Sequence, residues 1–157
     1  MTDKERVGTA GMFFLMSELL IRGYPTSMAL GSDSNILYMP GNSTDSIRQI
    51  IVKTGSSRES GDNHTCQFTI QERLLNDYRP MTAFSLIIRH VVYWHCFNIS
   101  HIGLRGLIDE GVGTYNEGKN NYTFTFISHN HFQNTICSKR LMDDYHSNFE
   151  VLALRTA

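Results

Sequence analysis

The sequence lacks the features that mark a membrane, secreted or disulfide-stapled protein. No apolar run approaches the ~18 residues that a membrane span requires, and the longest, around residues 86 to 97, contains Arg89, His90 and His95. No signal-peptide pattern follows Met1. The cysteines number 3, an odd count without motif spacing, which is typical of reduced thiols. We therefore expect a cytoplasmic protein without a membrane partner.

The sequence also has no large excess of positive or of negative charge. The chain of 157 residues carries 14 Lys+Arg and 15 Asp+Glu, so it lacks the basic excess of most nucleic-acid binders. Any nucleic-acid contact would have to come from a local patch. The hydrophobic share of 41% excludes a disordered chain. The length predicts a single domain over residues 1–157, large enough to bury a core without disulfides or a metal.

The N-terminal third predicts a helix followed by a β-hairpin. The apolar residues of segment 5–22 recur at helical spacing and make one stripe: Met12, Leu15, Met16, Leu19 and Leu20. Gly23 is typical of the residue that ends such a helix. Residues 35–39 and 47–53 predict the two strands of the hairpin, on either side of a turn over 40–43.

The remainder predicts further strands and two more helices. In chain order we expect a polar loop over 55–64, a segment 67–77 that fits either strand or helix, strands over 82–88 and 91–99, a helix over 101–110 with Ser100 as N-cap, a glycine-containing loop over 111–118, a strand over 121–127 and a closing helix over 141–152. This order predicts the α/β class, with a central mixed β-sheet flanked by helices in a single domain.

Several short motifs occur in a suggestive order. Gly8-Thr-Ala-Gly11 opens the helix, which ends with Ser17-Glu-Leu-Leu-Ile-Arg-Gly-Tyr24. The hairpin carries Asn35-Ile-Leu and Ile51-Val-Lys53-Thr, and Tyr145-His-Ser-Asn-Phe-Glu-Val-Leu lies near the C-terminus. This arrangement resembles the PD-(D/E)XK nuclease superfamily, most of all its small bacterial members and the Holliday-junction resolvases. The resemblance implies a restriction-endonuclease-like fold.

The resemblance also implies a metal site whose acidic residues have been replaced. In that superfamily, carboxylates from the helix and the hairpin hold Mg²⁺, and a lysine lies beside the attacked phosphate. The motifs place the helix acid at Met12, the hairpin acids at Asn35 and Ile51, and the lysine at Lys53. Met and Ile cannot ligate Mg²⁺, and Asn offers one neutral oxygen. Only Lys53 of the catalytic set remains, so we expect no bound cofactor.

Relocated acids are an alternative. Asp33 shares a strand face with Asn35 if the strand begins that early, and Gln49 shares a face with Lys53. Glu18 lies on the same helix as the replaced acid, although on a different face. If these residues took over, the protein would be an active endonuclease with Mg²⁺ as its cofactor.

Three functions are therefore open. The first, which we favour, is a nuclease-fold protein without catalytic activity that binds nucleic acid or a protein partner. Arg48, Lys53 and Arg58 would line the former cleft and contact phosphates. The second is the active endonuclease with relocated ligands. The third is a purely structural or interaction subunit, for example one half of a homodimer.

Other histidine patterns predict no metal site. His129-Asn-His131 spells a nuclease-like triplet, but the longer ββα-metal motif around it is missing. His64 with Cys66, and His95 with Cys96, are the residue types that bind zinc. Adjacent strand residues point to opposite faces, so His95 and Cys96 are poorly placed to share an ion.

Overall fold

Two β-sheets stacked face to face form the centre of the protein. A computed structural model describes residues 1–28, 35–40, 47–76, 82–91, 93–129 and 131–153. The helices are α1 (Asp3–Ile21), α2 (Glu72–Asn76), α3 (His101–Asp109) and α4 (Glu150–Ala153), and Asp143–Tyr145 forms a 3-10 turn. The strands are β1 (Ser27–Met28), β2 (Ile36–Pro40), β3 (Ile47–Ser56), β4 (Arg58–Ser60), β5 (Asn63–Gln71), β6 (Thr82–Arg89), β7 (His95–Ser100), β8 (Thr114–Asn116), β9 (Asn121–Ser128), β10 (Ile136–Cys137) and β11 (Arg140–Leu141).

The two sheets differ in strand direction. The first has the order β1-β2-β3-β6-β7, and its central pair β3–β6 is parallel while the other pairs are antiparallel. The second is antiparallel in the order β11-β10-β9-β5-β4, with β8 paired to the start of β9. A single residue, Ser57, separates β3 of the first sheet from β4 of the second.

Helix α1 covers the outer face of the first sheet. It begins with a capping box, in which the Thr2 hydroxyl accepts from the Glu5 N–H and the Glu5 carboxylate accepts from the Thr2 N–H. Its buried side chains Met12, Leu15 and Leu19 share one cluster with residues of β2, β3, β6 and α4. No helix in the described ranges is long and apolar enough to cross a membrane.

The inner faces of the two sheets enclose the larger core. Side chains alternate along each strand, so Ile51 and Phe84 face the second sheet whereas Ile50 and Ala83 face α1. Leucines of α2 and α3 add to this inner core. Its largest side chains come from both sheets and from the loop after β9: Phe68, Phe84, Phe97, Phe124, Phe126 and Phe132.

The predicted α/β class is confirmed, but the layer on the second face is a sheet instead of helices. In β5 and β9 the buried residues alternate with exposed or half-buried ones over most of each strand. This pattern is typical of a sheet that covers a core on one side and meets solvent on the other. The result is a three-layer arrangement of helix, sheet and sheet in one domain.

Most predicted elements are confirmed to within a few residues. These are the N-terminal helix, the hairpin strands, the strands over 82–88 and 121–127, and the helix capped by Ser100, whose hydroxyl accepts from the Gly103 N–H. The undecided segment 67–77 is strand up to Gln71 and helix after it. Most of the turn predicted over 40–43 lies outside the described residues.

The predicted polar loop over 55–64 is wrong. β3 continues to Ser56, and β4 pairs with the start of β5 in a short hairpin. Gly61 at its tip has a φ of 62°, a left-handed conformation that glycine adopts without a steric penalty. All of β4 is exposed, so its polar residues are compatible with a strand that covers no core.

The closing helix predicted over 141–152 is also wrong for most of its length. Only Glu150–Ala153 is α-helical, because β11 and the 3-10 turn occupy the first half. A β-bridge between His146 and Phe97 holds the chain extended there. Two smaller differences are that β7 begins at His95, later than predicted, and that β8 lies inside the predicted glycine loop.

Gly11 allows α1 to approach β3, and this contact is testable. A Cβ at position 11 would clash with Thr54 Oγ1 and lie 2.9 Å from Thr54 Cβ. Gly11→Ala should therefore displace α1 and lower the free energy of unfolding by ~1–3 kcal/mol in urea titrations. Gly106→Ala in α3 is the matched control, since no atom lies within 4 Å of its added Cβ, and it should stabilise by ~0.5–1 kcal/mol. Equal effects of the two substitutions would contradict the close contact.

Candidate metal centre

Five histidines gather beside the inner core, where several strands begin or end. His64 lies near the start of β5, His90 directly follows β6 and His95 begins β7. His131 lies in the loop after β9, and His146 follows the 3-10 turn. Contacts between neighbouring rings link all of them. The convergence follows from the stacking of the two sheets, which brings these strand ends and loops together.

Three of these histidines have the geometry of a metal site. The ligand nitrogens of His64, His90 and His131 all lie within 4.8 Å of one another. Their ring centroids are separated by 4.6 Å (His64–His90), 5.3 Å (His64–His131) and 5.3 Å (His90–His131). Imidazoles bound at ~2.0–2.1 Å to one tetrahedral zinc ion would have centroids about 5 Å apart. The ring spacing therefore matches ligands of a single ion, and nitrogens that lie up to 4.8 Å apart would close to ~3.3 Å around it.

Hydrogen bonds orient the buried member of this triad. His90 Nε2 and His131 Nδ1 are 3.0 Å apart and share a proton in a hydrogen bond. The other nitrogen, His90 Nδ1, is 2.7 Å from Ser57 Oγ. When His90 Nε2 binds an ion, Nδ1–H can donate to the Ser57 hydroxyl, which is the kind of second contact that fixes a metal-binding imidazole.

The triad is open to solvent on one side. His90 is buried, His64 is half-buried and His131 is exposed. Phe132 is fully buried beneath them, with its ring centroid 5.2 Å from that of His90 and 6.2 Å from that of His64. An ion held by the three nitrogens would thus have an apolar floor and a position facing water.

The backbone that carries His131 has an unusual conformation. His131 has a φ of 48° and Phe132 a φ of 63°, two successive non-glycine residues in the left-handed region. Each such residue costs on the order of 1 kcal/mol or more. A second such pair occurs at Ser138 and Lys139, outside the histidine cluster. The burial of the Phe132 side chain holds this turn in place and directs His131 towards His90.

Burial keeps His90 in the neutral form that a metal requires. Desolvation, together with the nearby His64 and His131, lowers the pKa of His90, while Glu59 acts in the opposite direction. Glu59 is the cross-strand partner of His64. A neutral imidazole has a free lone pair on one nitrogen, so His90 is in a state to bind a cation at neutral pH.

His95 and His146 form a second pair beside the triad. His95 Nδ1 is 2.9 Å from His146 Nε2, and the His146 ring stacks on Phe97 with centroids 4.8 Å apart. Burial, with a contribution from His146, lowers the pKa of His95 to about 4, and burial also lowers the pKa of His146. His95 Nε2 is buried and has no hydrogen-bond partner in the described part of the chain.

The structure does not bring the predicted nuclease residues together. Met12 lies in the cluster under α1, whereas Ile51 lies in the inner core on the opposite face of the sheet. Lys53 shares the face of Ile51 because it is two residues further along β3. Asn35 is on the α1 side, since a Cβ added at Gly8 would lie 2.7 Å from Asn35 Nδ2. The four positions are thus divided between two faces.

The predicted substitute acids are also dispersed. Glu18 forms an ion pair with Arg22 on α1, and Gln49 is half-buried in β3 opposite Tyr38. Asp33 lies outside the described residues. Of the predicted substitutes, the two that the structure describes therefore do not lie together, so they do not provide a set of oxygen ligands for Mg²⁺.

The three predicted nucleic-acid residues are in different environments. Arg48 is buried and donates a 2.6 Å hydrogen bond to the backbone carbonyl of Leu152, so it anchors α4. Arg58 is exposed on β4. Lys53 is half-buried, and burial followed by the nearby Lys4 and Arg73 lowers its pKa. Arg48 therefore does not reach a ligand bound at the surface near Lys53 and Arg58.

The triad was missed because its members have no sequence spacing in common. They come from β5, from the end of β6 and from a loop after β9, and the histidine count of 7 is the available signal. The zinc-type pairs considered from the sequence are not ligand pairs. Cys66 is buried, and desolvation raises its pKa to about 12. Cys96 lies under α1, on the face opposite His95, as predicted.

Comparisons of the chain with protein-family models, with characterised proteins and with solved structures give no match. The candidate site rests on the geometry of the triad alone.

The lowered pKa of His95 predicts acid-sensitive stability of the metal-free protein. The pKa is 6.5 for an ordinary histidine and about 4 in the folded chain, so the unfolded chain binds more protons between these values. The contribution of His95 to the free energy of unfolding is fully present above pH 6.5 and should fall by roughly 3 kcal/mol as the pH decreases to 4. Urea titrations in the presence of a chelator measure this fall.

His95→Phe provides the test of the cause. It removes the titrating group while keeping a buried ring, so the fall in stability between neutral pH and pH 4 should become smaller. His129→Asn, at an exposed position outside the cluster, should keep the full dependence. An unchanged dependence in His95→Phe would contradict the assignment to His95.

Proposed function

We propose that the protein binds one divalent transition-metal ion, zinc by preference, through His64, His90 and His131. The observation that carries the proposal is the spacing of the three rings, with centroids 4.6 to 5.3 Å apart. Imidazole nitrogens are typical ligands of zinc, copper and nickel. Zinc is favoured because it accepts a tetrahedral arrangement of such ligands without a preference for planarity.

The open side of the triad indicates what the ion would do. Three histidines leave one tetrahedral position for water, and zinc sites with three protein ligands and a water are typical of enzymes. Zinc lowers the pKa of its bound water to ~7, which supplies a hydroxide nucleophile at neutral pH. The function that we propose is therefore zinc-dependent activation of water, at a site that solvent reaches on the side of His131.

The ion would also stabilise the fold. It would connect β5, the end of β6 and the loop after β9, which are far apart in sequence. A ligand that binds only the folded chain stabilises it in proportion to the logarithm of its free concentration over its dissociation constant. Zinc should thus raise the melting temperature of the protein.

Nucleic-acid binding by a protein with a nuclease-like fold stays a prediction from the sequence. Its catalytic form needs carboxylates near Lys53, and Met12, Asn35 and Ile51 do not converge there. Association into a homodimer or with another protein is likewise a prediction. We favour the zinc centre because three side chains of the correct chemistry converge in it.

Zinc titration of the chelator-stripped protein tests the proposal. We expect one zinc ion per chain by calorimetry and by elemental analysis after dialysis, together with a higher melting temperature. Cobalt should give the intense visible absorption of a tetrahedral site. Stripped protein that takes up no zinc and no cobalt would contradict the proposal.

His131→Asn is the most informative variant. His131 is exposed, and asparagine tolerates its left-handed backbone, so the fold should persist. Loss of one of three ligands should weaken zinc binding by at least ~100-fold. The control is His129→Asn, two residues earlier and exposed, which should bind zinc as tightly as the unaltered chain. Equal affinity in both variants would exclude His131 as a ligand.

A further inference from the structure

A second candidate site lies at the N-terminus of α1. A cavity of about 570 Å³ opens between the first turn of α1, the end of β3 and the β4–β5 hairpin. This volume is within the range of small-molecule sites, ~300–1,000 Å³. Its polar lining includes Lys4, Ser56, Arg58, Thr65, Gln67 and Thr125.

The cavity carries an unbalanced positive charge. Asp3 is the acid in its described lining, and it forms an ion pair with Arg6. Lys4 and Arg58 have no ion pair with any described residue, and both are exposed. Hydroxyl groups of Ser56 and Thr65 accompany these cations, so charge and hydrogen-bond donors are present together.

Lys53 adds a third cation beside the cavity. Lys53 is not itself a lining residue, but it lies near Lys4, which is, and near Arg73 of α2. Both neighbours repel its charge, and it makes no hydrogen bond or ion pair with the described residues. A ligand with negative charge would reduce this repulsion, because it would interact favourably with all of these groups.

We propose that this cavity binds the phosphate group of a small phosphate ester, such as a nucleotide. A phosphate monoester carries up to two negative charges and several acceptor oxygens, which match two or three cations and neighbouring hydroxyls. A cavity of about 570 Å³ has the size of one small phosphorylated molecule, whereas a nucleic-acid chain requires an extended basic track. The cavity therefore fits a single phosphate better than a polynucleotide.

This site is separate from the zinc centre. In the β4–β5 hairpin, Arg58 is paired with Thr65, and Glu59 is paired with His64. Neighbouring residues of a strand point to opposite faces, so Arg58 and Thr65 of the lining point away from His64, although Cys66 of the lining shares the face of His64. None of the three histidines is in the described lining of the cavity. Phosphate binding at the cavity should therefore persist when a chelator removes metal ions.

Calorimetry with adenosine monophosphate, inorganic phosphate and uncharged adenosine tests the proposal, with a chelator present throughout. We expect adenosine monophosphate and phosphate to bind, adenosine to bind at least 10-fold more weakly than its phosphate, and affinity to fall as salt rises. Absence of binding by both phosphate compounds, or equal binding of adenosine, would overturn it.

Lys4→Ala and Arg58→Ala locate the site. Each removes an exposed cation of the lining and should weaken binding of adenosine monophosphate on the order of 10-fold. Lys119→Ala, in the exposed turn between β8 and β9, should leave the affinity unchanged. Equal weakening by Lys119→Ala would indicate a general charge effect and would overturn the assignment to the cavity.

A single-stranded oligonucleotide separates the two kinds of phosphate ligand. If it binds and adenosine monophosphate does not, the cations belong to a nucleic-acid surface and the proposal for the cavity is wrong. If adenosine monophosphate binds and competes with the oligonucleotide, the cavity is the shared phosphate site and the proposal is supported.

Discussion

The burial of β3 on both of its faces is the constraint on which the rest of the structure depends. Ile50 and Val52 pack under α1, while Ile51 packs against the second sheet. Because the strand has an apolar layer on each side, α1 and the second sheet can occupy only opposite faces. The continuation of the same strand through Ser57 into β4 then starts the second sheet directly over the first. This arrangement positions both candidate sites, which share the β4–β5 hairpin.

Burial of side chains has a different consequence at each of the two candidate sites. At the histidine cluster, burial lowers the pKa of His90, whose ring packs against Phe132 and lies close to those of His64 and His131. At the cavity beside α1, burial of Lys53 near other cations leaves positive charge without a described acidic partner, which favours an anion. The histidine cluster offers imidazole lone pairs, which a metal cation would complement. The cavity offers cations, which an anion would complement. The left-handed turn at His131 and Phe132 is the clearest local strain associated with either site.

Much of the fold was predictable because local patterns determine it. The stripe of Met12, Leu15 and Leu19 predicts α1, Ser100 predicts the start of α3, and clean alternation over 121–127 predicts β9. The failures come from tertiary contacts. The polar segment 55–64 becomes a hairpin because it extends a sheet edge, and the bridge from His146 to Phe97 prevents the predicted closing helix from forming. The histidine triad was not predictable, since its members lie in three separate elements without a shared spacing.

The sequence by itself determined the α/β class, the single domain and the positions of most strands, because hydrophobic periodicity and capping act over a few residues. Only the tertiary structure decided that a second sheet, not a helix layer, covers the inner face, and that His64, His90 and His131 meet. It also placed Met12 and Ile51 on opposite sides of one sheet. Side-chain direction along a strand can be inferred from alternation, but which strand ends become neighbours depends on how whole sheets pack together.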